Sequence, residues 1–492
     1  KRGGGSGALA FIQSLYSWRP YHKHLLRLAP TFAQKAHYCM LDCVVEWECF
    51  TNLLKHIERA APRSLEAYRR DAVPLLPIMV QMSLKGLRVD TERFAERKAG
   101  LALEVGSMGE ALVAAYGDGI RPKGKRTKWS VSLGGVKKVF AAQGIKVPRK
   151  RDPETGEWKP TLDREARQKL VGEYPELTLL GDYLEQRDIL TDFYKGAVVG
   201  KDGVCRPHWS GYLASWRWRV TEPNIAQHPK RERRVFRARP GCLLVELDTE
   251  AGEYRWFAGE CQDSTLLGEL AEFDRTGNPL LHPHVLGTAM VFNVGTDVAL
   301  RWKQSKDPAL LARYTFSKNN AYRRLYAYKG GIESLKGPAA KAGLKWSRKL
   351  FADLDAEWFR RYPKAQVWRD EWVARALEAR VVECREWGYR RVLHGMPSDI
   401  QNAALNHPMQ AGIAGLVNRA VRLTWDSEQV LPLVNMHDGL LYEVPIGPQF
   451  DATVVKMQQA LMRPLVTLGN LVILVEVQVG EWWGELAPWR AA

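Results

Sequence analysis

The chain has 492 residues, 46% of them hydrophobic, with 72 lysines and arginines against 55 aspartates and glutamates, a formal net charge of +17. That length supports several hydrophobic cores, and the seven scattered cysteines, odd in number and without a Cys-x-x-Cys pair, exclude a disulfide scaffold or zinc ribbon and predict a reducing compartment. No apolar run approaches the ~20 residues of a membrane span and no signal-peptide pattern opens the chain, so a soluble, cytoplasmic protein is expected, and the positive balance points to a polyanionic partner bound with counterion release.

Residues 1–7, Lys-Arg-Gly-Gly-Gly-Ser-Gly, have the composition of a flexible linker. From Ala8 to about Ala61 the pattern is helical, with an amphipathic run through Leu54, and Pro62 and Pro74 bracket a short connection. Cys39, Cys43 and Cys49 cluster on this stretch at a spacing wrong for a metal. Between about Val73 and Lys195, long helices are interrupted by two basic runs, Arg121-Pro-Lys-Gly-Lys-Arg-Thr-Lys128 and Arg149-Lys-Arg151. Each reads either as a solvated loop or as a mobile tip straddling a duplex backbone. Strand-like runs begin near Val204, notably Cys242–Asp248, Leu433–Met436 and Leu440–Val444. A helical stretch from about Gly252 to Glu383 separates them, and no internal repeat is visible.

Three groups of residues can carry chemistry. Asp248 ends an apolar strand and is followed by a helical pattern, which reads as a helix cap or as a metal platform. Asp438, in His437-Asp438-Gly439 between two apolar runs, marks a tight hairpin that could face the strand carrying Asp248. Two carboxylates so placed can hold a pair of divalent ions ~3.5–4 Å apart for an in-line displacement. Lys318, Tyr322 and Tyr326 recur at a spacing of four and share one helical face, either as core packing or as a cation and rings for a nucleotide. Asn406 and Gln410 offer amides that could touch bases or primer sugars.

Taken in this order, the residues resemble the three motifs of the DNA polymerase I family, family A. Asp248-Thr-Glu-Ala-Gly-Glu253-Tyr-Arg255 is similar to the first motif, Lys318, Tyr322 and Tyr326 to the nucleotide-binding helix, and His437-Asp438 to the third. Thr221-Glu-Pro-Asn224-Ile-Ala-Gln227 preceded by Arg217, Arg233-Arg-Val-Phe236, Asn406-x-Pro-x-Gln410 and Val479-Gly-Glu-Trp-Trp-Gly484 extend the likeness over roughly residues 70 to 492. The resemblance implies an α+β right-hand fold with an antiparallel palm sheet and largely helical fingers and thumb. The implied layout is a thumb at 73–200, a palm at 201–255 and 386–492, and fingers at 256–385. It further implies a template-directed DNA polymerase with two divalent ions, magnesium by expectation, on Asp248 and Asp438. Lys318, His284 and Arg313 would meet the triphosphate, Tyr322 and Tyr326 the nucleotide, and Glu253 would be the gate against ribose. Arg217, Asn224, Gln227, Asn406, Gln410 and His437 would contact primer–template DNA. Deoxynucleoside triphosphates and primer–template are thus the implied partners of a monomeric enzyme, and a clamp or helicase leaves no mark.

Upstream, Tyr38-x-x-x-Asp42 resembles the last motif of the family's proofreading nuclease without its earlier acids. Residues 8–72 are therefore expected to be the helical end of a truncated, RNase H-like exonuclease domain. The spelling Pro-Asn-Ile-Ala-Gln and the direct exonuclease-to-thumb order resemble bacteriophage members, which would place the protein in host cytoplasm. The sequence departs from the family at Tyr314, where an arginine is usual, at Ala327 in place of a glycine, and at Gly439 in place of a glutamate. Arg313, Arg323 or Arg301 could substitute for the arginine, and Glu246, two residues before Asp248 on the same strand face, for the acid. A single-subunit RNA polymerase and a catalytically weak duplex-binding relative are the competing readings. Glu253 is the residue that discriminates against the first.

Overall fold

The computed structural model describes residues 32–121, 131–151, 157–196, 199–321, 335–344 and 347–490. The chain divides into two compact units, Lys1–Val73 and Pro74–Ala492. In the first, the predicted helix is described as Phe32–Ala60 and is followed by a short helix, Pro62–Ala67, whose first position is the proline that a helix start tolerates. Val45 is buried on the long helix, whereas Met40, Val44, Trp47 and Leu53 are exposed. Asp42 is half-buried, and the Tyr38 side chain lies outside the described ones. Cys39 and Cys43 are exposed, unbridged thiols.

The second unit begins with helices. Helix α1, Thr91–Tyr116, starts at Asp90, whose side chain accepts from the Arg93 N–H, satisfying one of the orphan donors of the first turn. Its base is pinned to the segment before the sheet by Glu232, only 1% exposed, which accepts from the Arg97 guanidinium at 2.8 and 3.0 Å and from the Tyr194 hydroxyl at 2.7 Å. Of the first basic run only Arg121 is described, paired with Glu110 and Asp118. The second run is a strand, Arg149–Arg151, paired with Trp158–Pro160, where a solvated loop or mobile tip was expected.

The sheet has five antiparallel strands: β1 (Cys242–Thr249), β2 (Pro432–Asn435), β3 (Gly439–Pro445), β4 (Val475–Gly480) and β5 (Ala487–Pro488), in the order β2-β3-β1-β4-β5. Strand alternation gives it two unlike faces. Val245, Leu247 and Thr249 of β1 are buried on one face; Tyr442 lies opposite Val245, and its hydroxyl meets Thr424 Oγ1 at 3.0 Å. Glu246 and Asp248 alternate with these and point to the other face, which they share with the buried Leu244.

Helix α2 (Gly252–Cys261) leaves the end of β1, and after a helix at Ser264–Thr276 come α3 (Pro283–Phe292), α4 (Thr296–Gln304) and α5 (Pro308–Phe316). The last three enclose a small core of Val285, Ala299, Trp302 and Tyr314. A further helix, Lys336–Lys341, packs against helix Arg164–Glu173, with Ala339, Ala166 and Leu170 buried. The helical stretch ends at Ala379, not at Glu383 as predicted, because a hairpin of Val381–Cys384 and Tyr389–Val392 takes over. Helix α6, Pro397–Glu428, then runs behind the sheet with Pro408 in its interior. A proline there frees the carbonyl four residues back, and the indole N–H of Trp372 donates to that carbonyl of Ala404 at 2.9 Å. α6 lies close to α2, since a Cβ on Gly412 would fall 2.2 Å from the Trp256 ring.

Candidate active site

Strands β1 and β3 bring the two predicted acids to one end of the sheet. Gly439 pairs with Asp248, and the Thr249 N–H and hydroxyl donate to the Asp438 carbonyl at 3.0 and 2.9 Å. The hairpin was expected to turn on Asp438-Gly439. Instead His437 takes the left-handed conformation, φ 80°, with its N–H donating to Asn435 Oδ1 at 3.0 Å, and Gly439 is already the first residue of β3. Glycine is required there for closeness rather than for its dihedral freedom. A Cβ at Gly439 would lie 2.5 Å from the Leu247 carbonyl oxygen and 3.1 Å from Asp248 Oδ1. The missing family glutamate is thus matched by a backbone approach that leaves no room for one.

Asp248 is half-buried and Asp438 exposed. Burial first, then the like charges of Asp438 and Glu246, push the Asp248 carboxyl up to about 7, with Lys230 and Lys318 opposing. Glu246 shares the face of Asp248, as predicted from strand alternation. Its Oε2 accepts from the Trp483 indole at 2.5 Å and lies 3.4 Å from Arg233, so this acid is engaged by structural partners. Two strand-end carboxylates, the charge of Asp438 raising the proton affinity of Asp248, form a donor set suited to hard divalent cations, which magnesium commonly fills with one or two carboxylates, waters and substrate phosphates. Among the described residues no cluster of three His, Cys, Asp or Glu side chains could hold a metal unaided.

Beside the acids, Arg217 Nη2 donates to Glu253 Oε1 at 2.9 Å, both side chains largely buried. His437 lies within the electrostatic reach of Arg217, and its pKa is depressed to about 4 mainly by burial. The structure therefore gathers Arg217, Glu253 and His437, predicted from three separate stretches. Asn406 and Gln410 stand one turn apart on α6, both half-buried, with Asn406 Nδ2 donating to the Asn402 carbonyl at 2.8 Å. Asn224 and Gln227 are exposed at the short turn Ile225–Gln227, which packs against β2.

Toward the helices, Lys318 is exposed on the short π-helix Ser317–Ala321 that follows α5 and acts on Asp248. Tyr322, Tyr326, Arg323 and Ala327 lie outside the described residues. Tyr314 is buried in the α3–α5 core, which accounts for the absence of an arginine at that position. The guanidinium of Arg313 sits 5.3 Å over the Trp302 ring of that core, and Arg301 pairs with Asp297 at 3.0 Å. Of the three expected substitutes, the two within the described residues are engaged in packing or surface pairing. His284 is buried at the start of α3, its ring 5.3 Å from that of His282.

Three residues here were not singled out from the sequence. Glu476 lies opposite Asp248 across β4. His282 caps α3 through Nδ1, which accepts from the His284 N–H at 3.1 Å, and its pKa is depressed to about 3 by burial and then by Lys303 and Lys318. Lys303 is half-buried near the end of α4. Alternation along β4 could have flagged Glu476; nothing local distinguishes Lys303 from the basic residues around it.

No protein-family model matches the chain. DNA polymerase I of Caldicellulosiruptor bescii is 21% identical over 437 residues, 84% of this chain and 46% of that protein, so the chain spans less than half the length of this relative. The solved POL domain of Pol1 from M. smegmatis, in complex with DNA primer-template and dNTP, matches with a TM-score of 0.67 and 21% identity over 98% of this chain and 80% of that one. No described helix is long and apolar enough to cross a membrane. The chain therefore has the fold of that POL domain and is similar in sequence, over most of its length, to a DNA polymerase I.

Proposed function

We propose that the chain is a template-directed DNA polymerase that adds deoxynucleotides to a primer 3′ end by two-metal phosphoryl transfer. The observation that carries this reading is the pinning of Asp248 and Asp438 to adjacent strand ends, with Lys318 acting on the same place. Bound divalent ions would activate the primer 3′ oxygen and stabilise the leaving oxygen. Asp248 and Asp438 would hold those ions, Lys318 and His284 would meet the triphosphate, and Tyr322 and Tyr326 would pack on the nucleotide. Glu253, its carboxylate held by Arg217, would occupy the space that a ribose 2′-hydroxyl needs. Arg217, Asn224, Gln227, Asn406, Gln410 and His437 would line the path of primer and template.

The test is extension of a primed template by the purified protein with magnesium and either deoxy- or ribonucleotides. Template-directed addition of deoxynucleotides is expected. Equal use of ribonucleotides would favour an RNA polymerase, and DNA binding without extension would favour the duplex-binding relative that Gly439 and Tyr314 bring to mind.

A further inference from the structure

We propose that the groove between Trp216 and the strand Tyr389–Val392 is a subsite for an unpaired DNA base, stacked on the Trp216 indole with its phosphate on Arg391. The proposal rests on the polymerase reading above and adds to it a place where single-stranded template meets the protein. Trp216 closes the turn between two paired strands, His208–Tyr212 and Trp218–Thr221. Its N–H donates to the Leu213 carbonyl at 2.9 Å, and the Leu213 N–H donates to the Arg217 carbonyl at 2.8 Å. The Trp216 backbone is left-handed, φ 59°, a conformation that a bulky side chain seldom takes and keeps only where its surroundings hold it. Two contacts do so. Asn418 Nδ2 donates to the Trp216 carbonyl at 3.2 Å, and the indole stacks on the fully buried Tyr389 ring at 3.9 Å and 6°. Glycine takes a left-handed position without cost, so an indole held there by a turn, an amide and a second ring points to a use for the indole.

The half-buried Trp216 lines a groove of about 520 Å³, room enough for a nucleotide. Arg390, Arg391 and His394 line it too, with Leu213 as an exposed apolar neighbour. Glu383 stands opposite Arg390 in the hairpin, whereas Val382 stands opposite Arg391, so Arg391 is the cation assigned to the phosphate. The Asp399 carboxylate on the wall is taken up by the Met396 N–H, 3.2 Å away at the start of α6. An aromatic ring beside a cation suits single-stranded nucleic acid, because any base can stack on the ring while the cation meets the backbone. A base within a duplex offers no such face, since its neighbours cover it. The groove also begins beside the active site, because the residue after Trp216 is Arg217, which donates to Glu253 at 2.9 Å.

The test measures anisotropy, without nucleotide, on three labelled DNAs: a primer–template with a 5′ template overhang, the same duplex with blunt ends, and oligothymidylate. Wild type is compared with Trp216→Gly, which suits the left-handed backbone, Trp216→Phe, Arg391→Ala and, as a control, Arg463→Ala, exposed beyond the helix Phe450–Leu461. Trp216→Gly should bind the overhanging DNA and oligothymidylate about tenfold more weakly, with the blunt duplex within about twofold of wild type. Trp216→Phe should recover most of that loss. Arg391→Ala should weaken the same two DNAs and lower their salt slope by about one, and Arg463→Ala should match wild type. Equal weakening on overhanging and blunt DNA in Trp216→Gly would overturn the proposal, because a merely structural role does not distinguish them. Unchanged overhang affinity in Trp216→Gly or Arg391→Ala would overturn it as well. Failure of wild type to extend any primer would instead refute the polymerase reading, and the anisotropy measurements would still decide the role of the groove.

Discussion

Asp248 and Asp438 are held by backbone: paired strands, a turn closed by Asn435, and two hydrogen bonds from Thr249 to one carbonyl. Lys318 and His282 stand at the ends of helices packed around a side-chain core of Val285, Trp302 and Tyr314. The difference separates two kinds of precision. Sheet register fixes a carboxylate to within a fraction of a residue, since a one-residue slip would turn it to the opposite face. Helix ends carried on a small core can shift as a body, which suits groups that must meet a substrate on arrival and release it afterwards.

The comparison breaks most sharply at the acids. Asp248→Asn and Asp438→Asn should each lower nucleotide addition by about a thousandfold or more while primer–template affinity holds within a few fold, because charge at the reacting phosphate matters more to the transition state than to duplex binding. Extension rates and DNA affinities measured side by side would check this. Gly439→Ala tests the backbone itself. A methyl group at 2.5 Å from the Leu247 carbonyl must push β3 from β1, and a roughly 10- to 100-fold loss in kcat is expected where a reacting group moves by ~1 Å. Gly439→Glu should be worse still, so restoring the family's glutamate should not restore a third ligand.

Glu253→Ala probes the margin between the two sides. Removing the carboxylate frees the space beside the sugar and leaves Arg217 without its partner at 2.9 Å. Ribonucleotide incorporation relative to deoxynucleotide should rise about tenfold or more, on the scale of one steric or polar contact, as read in competition assays. The smallest effect concerns pH. With the folded carboxyl of Asp248 near 7 and the unfolded one near ~3.9, the metal-free folded chain holds a proton that the unfolded chain has released across that window. Its stability should therefore fall as pH rises from ~4 to ~7, by on the order of 2–4 kcal/mol. Asp248→Asn should flatten the slope, and denaturant melts at several pH values in a chelator would show whether it does.

Much of the sheet side was legible because its signals are local. Cys242–Asp248 is an apolar run that ends in an acid, and Asp438-Gly439 sits between two apolar runs, so the strand ends and their acids could be placed without tertiary information. The error at the hairpin was also local: Gly439 looked like the turn residue, whereas the left-handed conformation fell to His437 and the glycine answered a contact with Leu247. The helical side was legible only at Lys318. Whether Arg301, Arg313 or Lys303 faces the acids depends on which side of α4 and α5 joins the core, and every one of them is a basic residue beside apolar ones. Trp302 settled Arg313 by drawing its guanidinium onto the ring. The pairing of Arg217 with Glu253 was likewise hidden, because 36 residues separate the partners.

The central claim is that Asp248 and Asp438 together bind the ions of the reaction. Manganese in place of magnesium can be counted by electron paramagnetic resonance in a complex of the protein with a terminated primer–template and the next deoxynucleotide. The account predicts two bound ions in wild type and loss of at least one in both Asp248→Asn and Asp438→Asn, with DNA still bound. Two ions retained in either variant, at wild-type affinity, would contradict it.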